Sequence, residues 1–309
     1  MEQANPIAGE PAEEAPREDP WAPVVLGDPI FEFEPKPPKS ASYQSDTICD
    51  AWSCDSFTMR MASVRGYSHR YHGLPRQDDA EVAFSPRSGA VIFAVADGVS
   101  SATKAHLGAR MACEAGVQAV RRELSSDAGR VDWAAVLDFV VERMFRLAAV
   151  TLGQKRPTQQ VVLDLMATTL VIGYTVLTET GPVAVLVQIG DSSAWLLRGG
   201  QYRSILTEKH DPRQQVISSA VTPLPRLPDT IRPVTLRLPD DGVLLIGTDG
   251  FGDPLGDGDG QVGRLFADWL AAPPPATAFA HLLDFSRETF DDDRTLVAIW
   301  PRSVNEGPI

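Results

Sequence analysis

Carboxylates recur where apolar segments begin or end: in Gln77-Asp78-Asp79-Ala80, Val95-Ala96-Asp97-Gly98, Gly247-Thr248-Asp249-Gly250 and Asp291-Asp292-Asp293-Arg294. Any one of these is weak evidence for a site, because Asp-Gly is a common turn dipeptide. Asp97 and Asp249 share a context, however: an apolar strand, an aspartate, then a glycine that lets a cation approach the backbone closely. Two carboxylates brought about 4 Å apart repel by roughly 4 kcal/mol at an effective dielectric of about 20. Divalent cations remove that cost. Ligation by oxygen alone selects hard ions such as magnesium, manganese or calcium, and paired ions held by carboxylates activate water toward phosphorus esters.

The elements that must position these aspartates are legible from periodicity. Apolar runs predict strands over residues 57–64, 80–84, 91–96, 167–176, 183–189, 194–198, 202–206, 233–238, 243–246 and 295–300. Small residues at helical spacing predict a closely packing helix from Ala102 to Leu124. Trp133, Val136, Leu137, Val140, Met144 and Ala148 form the stripe of an amphipathic helix, and two more helices are expected over 262–270 and 276–290. Residues 207–232, proline-rich and without register, are expected to be a long surface loop. The order implies an α+β fold: a four-layer αββα sandwich, two antiparallel sheets flanked by helix pairs.

Bulk composition narrows the function. A net charge of −13 and a pI near 4.8, with no basic tract, exclude a nucleic-acid binder that works through phosphate contacts. No apolar run is long enough to span a bilayer, and the acidic stretch Met1–Pro20 lacks the apolar core of a signal peptide, so no membrane contact and a cytoplasmic location are expected. Cys49, Cys54 and Cys113 are expected to be reduced thiols. Residues 1–45 hold nine acidic and three basic residues, −6 of the total charge, and are expected to be a disordered acidic, proline-rich tail. Two apolar islands in it, Trp21–Leu26 and Ile30–Phe33, are candidates for docking. One domain is expected over 46–304.

Ala62-Ser63-Val64-Arg65-Gly66-Tyr67-Ser68-His69 and Gln77–Ala80 resemble the opening of the type 2C metal-dependent protein phosphatases, as found in bacteria. Further motifs of that family follow in order: Phe93–Ser101, Ala167-Thr168-Thr169-Leu170, Gln188–Gly200, Leu244–Gly250 and Asp292–Val297. The resemblance implies a protein serine/threonine phosphatase using two manganese or magnesium ions, with room in the family pattern for a third. Asp97 would bridge the two metals, Asp249 and Asp292 would complete one site, and Asp78 with the Gly98 carbonyl the other. Asp79 would ligate or orient metal-bound water, and Asp191 would either hold the third ion or cap a hairpin. Water activated between the cations would attack the phosphorus of a phosphoserine or phosphothreonine.

Two positions depart from the family pattern. Leu74 stands where many members place a phosphate-gripping arginine, leaving Arg65, Arg70 or Arg76 to take that part, with Arg76 nearest in sequence and Arg65 at the strand end; Val99 stands where some members carry a histidine as general acid, leaving His69 or a metal-bound water to protonate the leaving group. The expected partner is a phosphorylated protein, the product of a serine/threonine kinase, acted on by a monomer. The alternative is a catalytically weak pseudophosphatase that binds phosphoproteins or regulatory partners.

Overall fold

A computed structural model describes residues 19–39, 44–126, 130–206 and 222–302, and in it the apolar runs are strands covered on both faces. Strand β4 (Ala90–Ala96) illustrates the cause. Side chains alternate across a strand, so Val91, Phe93 and Val95 enter one core while Ile92, Ala94 and Ala96 enter another, all fully buried. β11 (Arg294–Pro301) divides in the same way, with Val297 and Ile299 on one face and Leu296, Ala298 and Trp300 on the other.

β3 (Asp79–Ser85), β4, β5 (Leu170–Thr178), β6 (Gly181–Ile189) and β9 (Val234–Arg237) form one antiparallel sheet in that order. The second sheet runs β1 (Thr47–Ser53), β2 (Phe57–Val64), β11, β10 (Gly242–Gly247), β7 (Ser193–Arg198), β8 (Gln201–Ser204). A core of alternate residues from both sheets lies between them. Helices α2 (Ala105–Ser125), α3 (Trp133–Leu152) and α4 (Gln159–Met166) cover the first sheet. Helices α5 (Asp249–Leu255), α6 (Gln261–Trp269) and α7 (Ala276–Leu283) cover the second. The four-layer αββα expectation therefore holds.

Four elements go beyond the sequence expectation: β1, α1 (Tyr67–His72), α4 and α5. Between β2 and β3, where no element was expected, lies α1, stopped by Gly73 in the left-handed region at φ 68°. The helix expected over 276–290 ends at Leu283, because Phe285 turns fully into the core and Ser286 pairs with the N-terminal segment.

The expected disordered tail needs correction over its described part. Residues 19–39 run along the domain as a strap: Leu26 N–H donates to Ser286 O at 3.0 Å, and Ser286 N–H donates to Val24 O at 2.7 Å. Farther along, Lys36 N–H reaches Arg70 O at 2.9 Å and Lys39 N–H reaches Gly73 O at 2.8 Å. Val24 and Leu26 pack on the core beneath α6 and α7, and Phe33 meets Tyr67 and Tyr71 edge-on. Within the two apolar islands Val24, Leu26, Ile30 and Phe33 are half-buried, while Trp21, Val25 and Phe31 stay exposed. Residues 1–18 lie outside the described residues, as does 207–221 of the expected surface loop. The rest of that loop is not wholly superficial, since Leu224 is fully buried and exchanges hydrogen bonds with Thr168.

Candidate active site

Antiparallel pairing brings the ends of several strands to one edge of the sandwich. Asp97 follows β4, Asp78 precedes β3, Thr248 and Asp249 follow β10, Asp292 and Asp293 precede β11, and Asp191 lies in the turn between β6 and β7. The registers agree, with Asp79 opposite Ala96, and Gly247 opposite both Leu296 and Ser193. Local chemistry then fixes each carboxylate. Thr168 and Thr169 hold Asp97: Thr168 Oγ1 and Thr169 N–H donate to its carbonyl at 2.7 and 2.8 Å, and Asp97 N–H donates to Thr169 Oγ1 at 3.0 Å. Asp249 opens α5. Thr248 and Thr295 hydroxyls donate to Asp78 Oδ2 at 2.7 and 2.9 Å.

Two glycines let the ligand loop close. A Cβ on Gly250 would lie 1.9 Å from Asp293 O, and one on Gly66 would lie 2.2 Å from the Asp292 carbonyl carbon. Only a bare backbone allows α1 and α5 to press on residues 291–293 from two sides.

The charges of Asp78, Asp97, Asp249, Asp292 and Asp191 act on one another. Burial, then Asp97, Asp293 and Asp292, holds the Asp78 carboxyl well above the usual carboxylate range. Burial, with Asp249 and Asp292, does the same to Asp97. Asp249 is pushed up to about 7 by burial and by Asp292 and Asp191. Asp292, open to solvent at the rim, is also raised, by desolvation of its carboxyl and by Asp293. Asp78 and Asp97 act directly on one another, and two ionised carboxylates so placed call for a proton or a cation between them. Such an oxygen-only, strongly repulsive donor set fits hard divalent cations.

Asp79, expected beside the metals, is placed differently. Its Oδ1 accepts from Ala80 N–H at 3.0 Å and lies 3.5 Å from Arg76 Nη1, on a pocket of about 410 Å³ lined also by Glu81, Arg110, Cys113 and Glu114. Burial raises its carboxyl, against the pull of Arg76 and Arg110. Cys113 Sγ donates to the Asp79 carbonyl at 3.4 Å; Cys113, Cys49 and Cys54 are all free thiols.

The arginines expected to grip phosphate are committed elsewhere. Arg65, 4% exposed, donates to the carbonyls of Lys36 and His69 at 3.1 and 2.9 Å. Arg76, 2% exposed, donates to Ser63 Oγ and the Asp78 carbonyl, each at 2.6 Å. Arg70 pairs with Asp46 and Asp284, and Arg294 donates to the carbonyls of Phe285 and Phe290.

His69 lies beside the ligand loop, its Nδ1 2.9 Å from Asp293 Oδ1, and ligand atoms of His69, Asp292 and Asp293 lie within 4.8 Å of one another. Burial disfavours the imidazolium, but Asp293 outweighs it and raises the His69 pKa; in turn the histidine holds the buried Asp293 below the usual range. Asp293 is the residue that sequence reasoning missed. Beside its 2.9 Å contact with His69 Nδ1, it accepts from Gly66 N–H at 2.6 Å and from Gln77 N–H, so one carboxylate pins the starts of α1 and of the Asp78 segment. Its doubling beside Asp292 was the available signal.

A family described as protein phosphatase 2C matches residues 65–285. That stretch holds Asp78, Asp97, Asp191 and Asp249 and stops short of Asp292, which the fold itself brings to the cluster. Similar structures include the serine/threonine phosphatase PstP/Ppp of Mycobacterium tuberculosis, at 16% identity and TM-score 0.50 over 80% of this chain and 100% of that one. A PstP catalytic domain in complex with two manganese ions gives 17% and 0.52 over 80% and 99%. PppA of Pseudomonas aeruginosa, a regulatory component of a type VI secretion system, gives 17% and 0.51 over 82% and 100%. At such identities the likeness is one of fold. No curated protein sequence matches the chain. On the match over residues 65–285, the chain belongs to the protein phosphatase 2C family.

Proposed function

We propose that this chain hydrolyses phosphoserine or phosphothreonine on proteins with the help of two manganese or magnesium ions. The observation that carries this is the set of mutually raised carboxylates at one end of a phosphatase 2C sandwich. Asp97 would hold both ions, Asp249 and Asp292 one of them, Asp78 and the Gly98 carbonyl the other; Asp191, near Asp97 and Asp249, suits a looser third. Bound there, the ions supply a water of lowered pKa and neutralise charge on the phosphoryl oxygens.

The chain's own groups do the rest. The Thr168–Thr169 clamp and the hydroxyls on Asp78 hold the ligands in place without substrate, so little reorganisation is needed when it arrives. His69, its pKa raised by Asp293 against the effect of burial, lies beside Asp292 and would give a proton to a leaving oxygen. The other reading, a phosphoprotein-binding pseudophosphatase, draws on one observation: Arg65, Arg70, Arg76 and Arg294 are all engaged by carbonyls, carboxylates or a hydroxyl of the chain itself. Phosphate release from phosphothreonine peptides, measured with manganese and with chelator, separates the two. Turnover that needs metal supports the enzyme; metal binding without turnover at high protein concentration supports the binder.

A further inference from the structure

We infer that Arg76 is a positioning residue that sets the Asp78 carboxylate for its cation, an inference that rests on the metal site proposed above. Arg76 Nη1 donates at 2.6 Å to two acceptors, the Asp78 carbonyl and Ser63 Oγ, and its Nε donates to Ser45 O at 3.3 Å. Ser63 Oγ lies 2.6 Å from Thr295 Oγ1, and Thr295 Oγ1 lies 2.9 Å from Asp78 Oδ2. Main chain and side chain of Asp78 are thus tied to one guanidinium in a closed ring.

With Asp78 ionised, as a cation ligand must be, the direction of every proton in that ring is determined. A guanidinium only donates, and an ionised carboxylate only accepts. Thr295 therefore spends its single proton on Asp78, Ser63 spends its own on Thr295, and Ser63 is left to accept from Arg76. A chain of this kind polarises along its length, so the positive charge of Arg76 is felt at Asp78 Oδ2. Thr248 adds a second hydroxyl to that same oxygen at 2.7 Å. Oδ2 carries two hydroxyl donors, which would leave Oδ1 to take the ion. The ring also depends on strand register, since Ser63 and Thr295 are directly opposed across β2 and β11. For Arg76 to reach a phosphate instead, it would have to break both 2.6 Å bonds in a site where it is 2% exposed.

Manganese binding to the metal-free full chain, followed by calorimetry, tests the inference, with substrate kinetics at saturating manganese beside it. Groups that orient metal ligands are worth about 10- to 100-fold in affinity. Arg76→Met, which keeps the bulk of the side chain, is expected to weaken manganese binding by about that factor while the substrate KM at saturating metal stays within about twofold. Ser63→Ala should weaken binding in the same direction, and the double variant should be little worse than either single one, because both cut one chain. An unchanged manganese affinity in Ser63→Ala overturns the inference, and so does an Arg76→Met variant with normal metal affinity and a raised KM, the signature of phosphate gripping. If Arg76→Met fails to fold, Ser63→Ala decides alone. A wild-type chain that binds no manganese would refute the metal site itself rather than the part given to Arg76.

Discussion

At the level of single residues, the site is a store of electrostatic repulsion. Asp249 titrates near 7 in the folded chain against about 3.9 when unfolded, and Asp78, Asp97 and Asp292 are raised as well. Between those limits the folded state binds more protons than the unfolded one, so the metal-free protein should lose stability as pH rises from about 4 through about 7. His69, raised by Asp293, adds to the same trend as it deprotonates. Melting curves at pH 6 and pH 8 should differ in chelator, and saturating manganese should remove most of the difference; a higher melting temperature at pH 8 in chelator would contradict this. Asp293 should behave as a structural residue. Asp293→Ala strands two backbone N–H groups and His69, and chemical denaturation should show a loss of about 3–5 kcal/mol. The four cluster aspartates were legible because each ends or begins an apolar run. The parts of Ser63, Thr248 and Thr295 were not, because Thr248 and Thr295 reach Asp78, and Ser63 reaches Thr295, only once the strands are in register, which no local pattern specifies.

Among the elements, the long strands and the helices α2 and α3 followed from period alone. β1, α1, α4 and α5 did not. α1 and α5 have six and seven residues, too few for periodicity to register, and α5 begins within an Asp-Gly pair that reads as a turn. They matter because each presses a glycine on the loop that carries Asp292 and Asp293. Gly250→Ala, whose new methyl would meet Asp293 O, should cost about 1–3 kcal/mol and weaken manganese binding, read by melting and calorimetry. Full metal affinity in that variant would show that the loop is not set by α5. The strap over 19–39 was half legible: its apolar islands were visible, but their docking surface is made by Arg70, Gly73 and Ser286, distant in sequence. Leu26→Asp puts a charge against the core under α6 and α7 and should destabilise the chain by about 1–2 kcal/mol with little change in kcat.

Over the whole molecule, two sheets packed face to face gather strand ends from residues 78 to 292 at one edge, so a cluster assembled from distant segments needs the complete sandwich. The acidic balance of the chain, −13 overall, suits solubility and adds to the negative field that draws cations to that edge. Among the described residues no helix is long and apolar enough to cross a membrane. The central claim is that Asp97 joins two cations held by the other aspartates. Manganese stoichiometry of the full-length chain, wild type against Asp97→Asn, tests it most directly. Two tight ions in the wild type and loss of both in a folded Asp97→Asn are predicted; two ions bound with unchanged affinity in Asp97→Asn would contradict it.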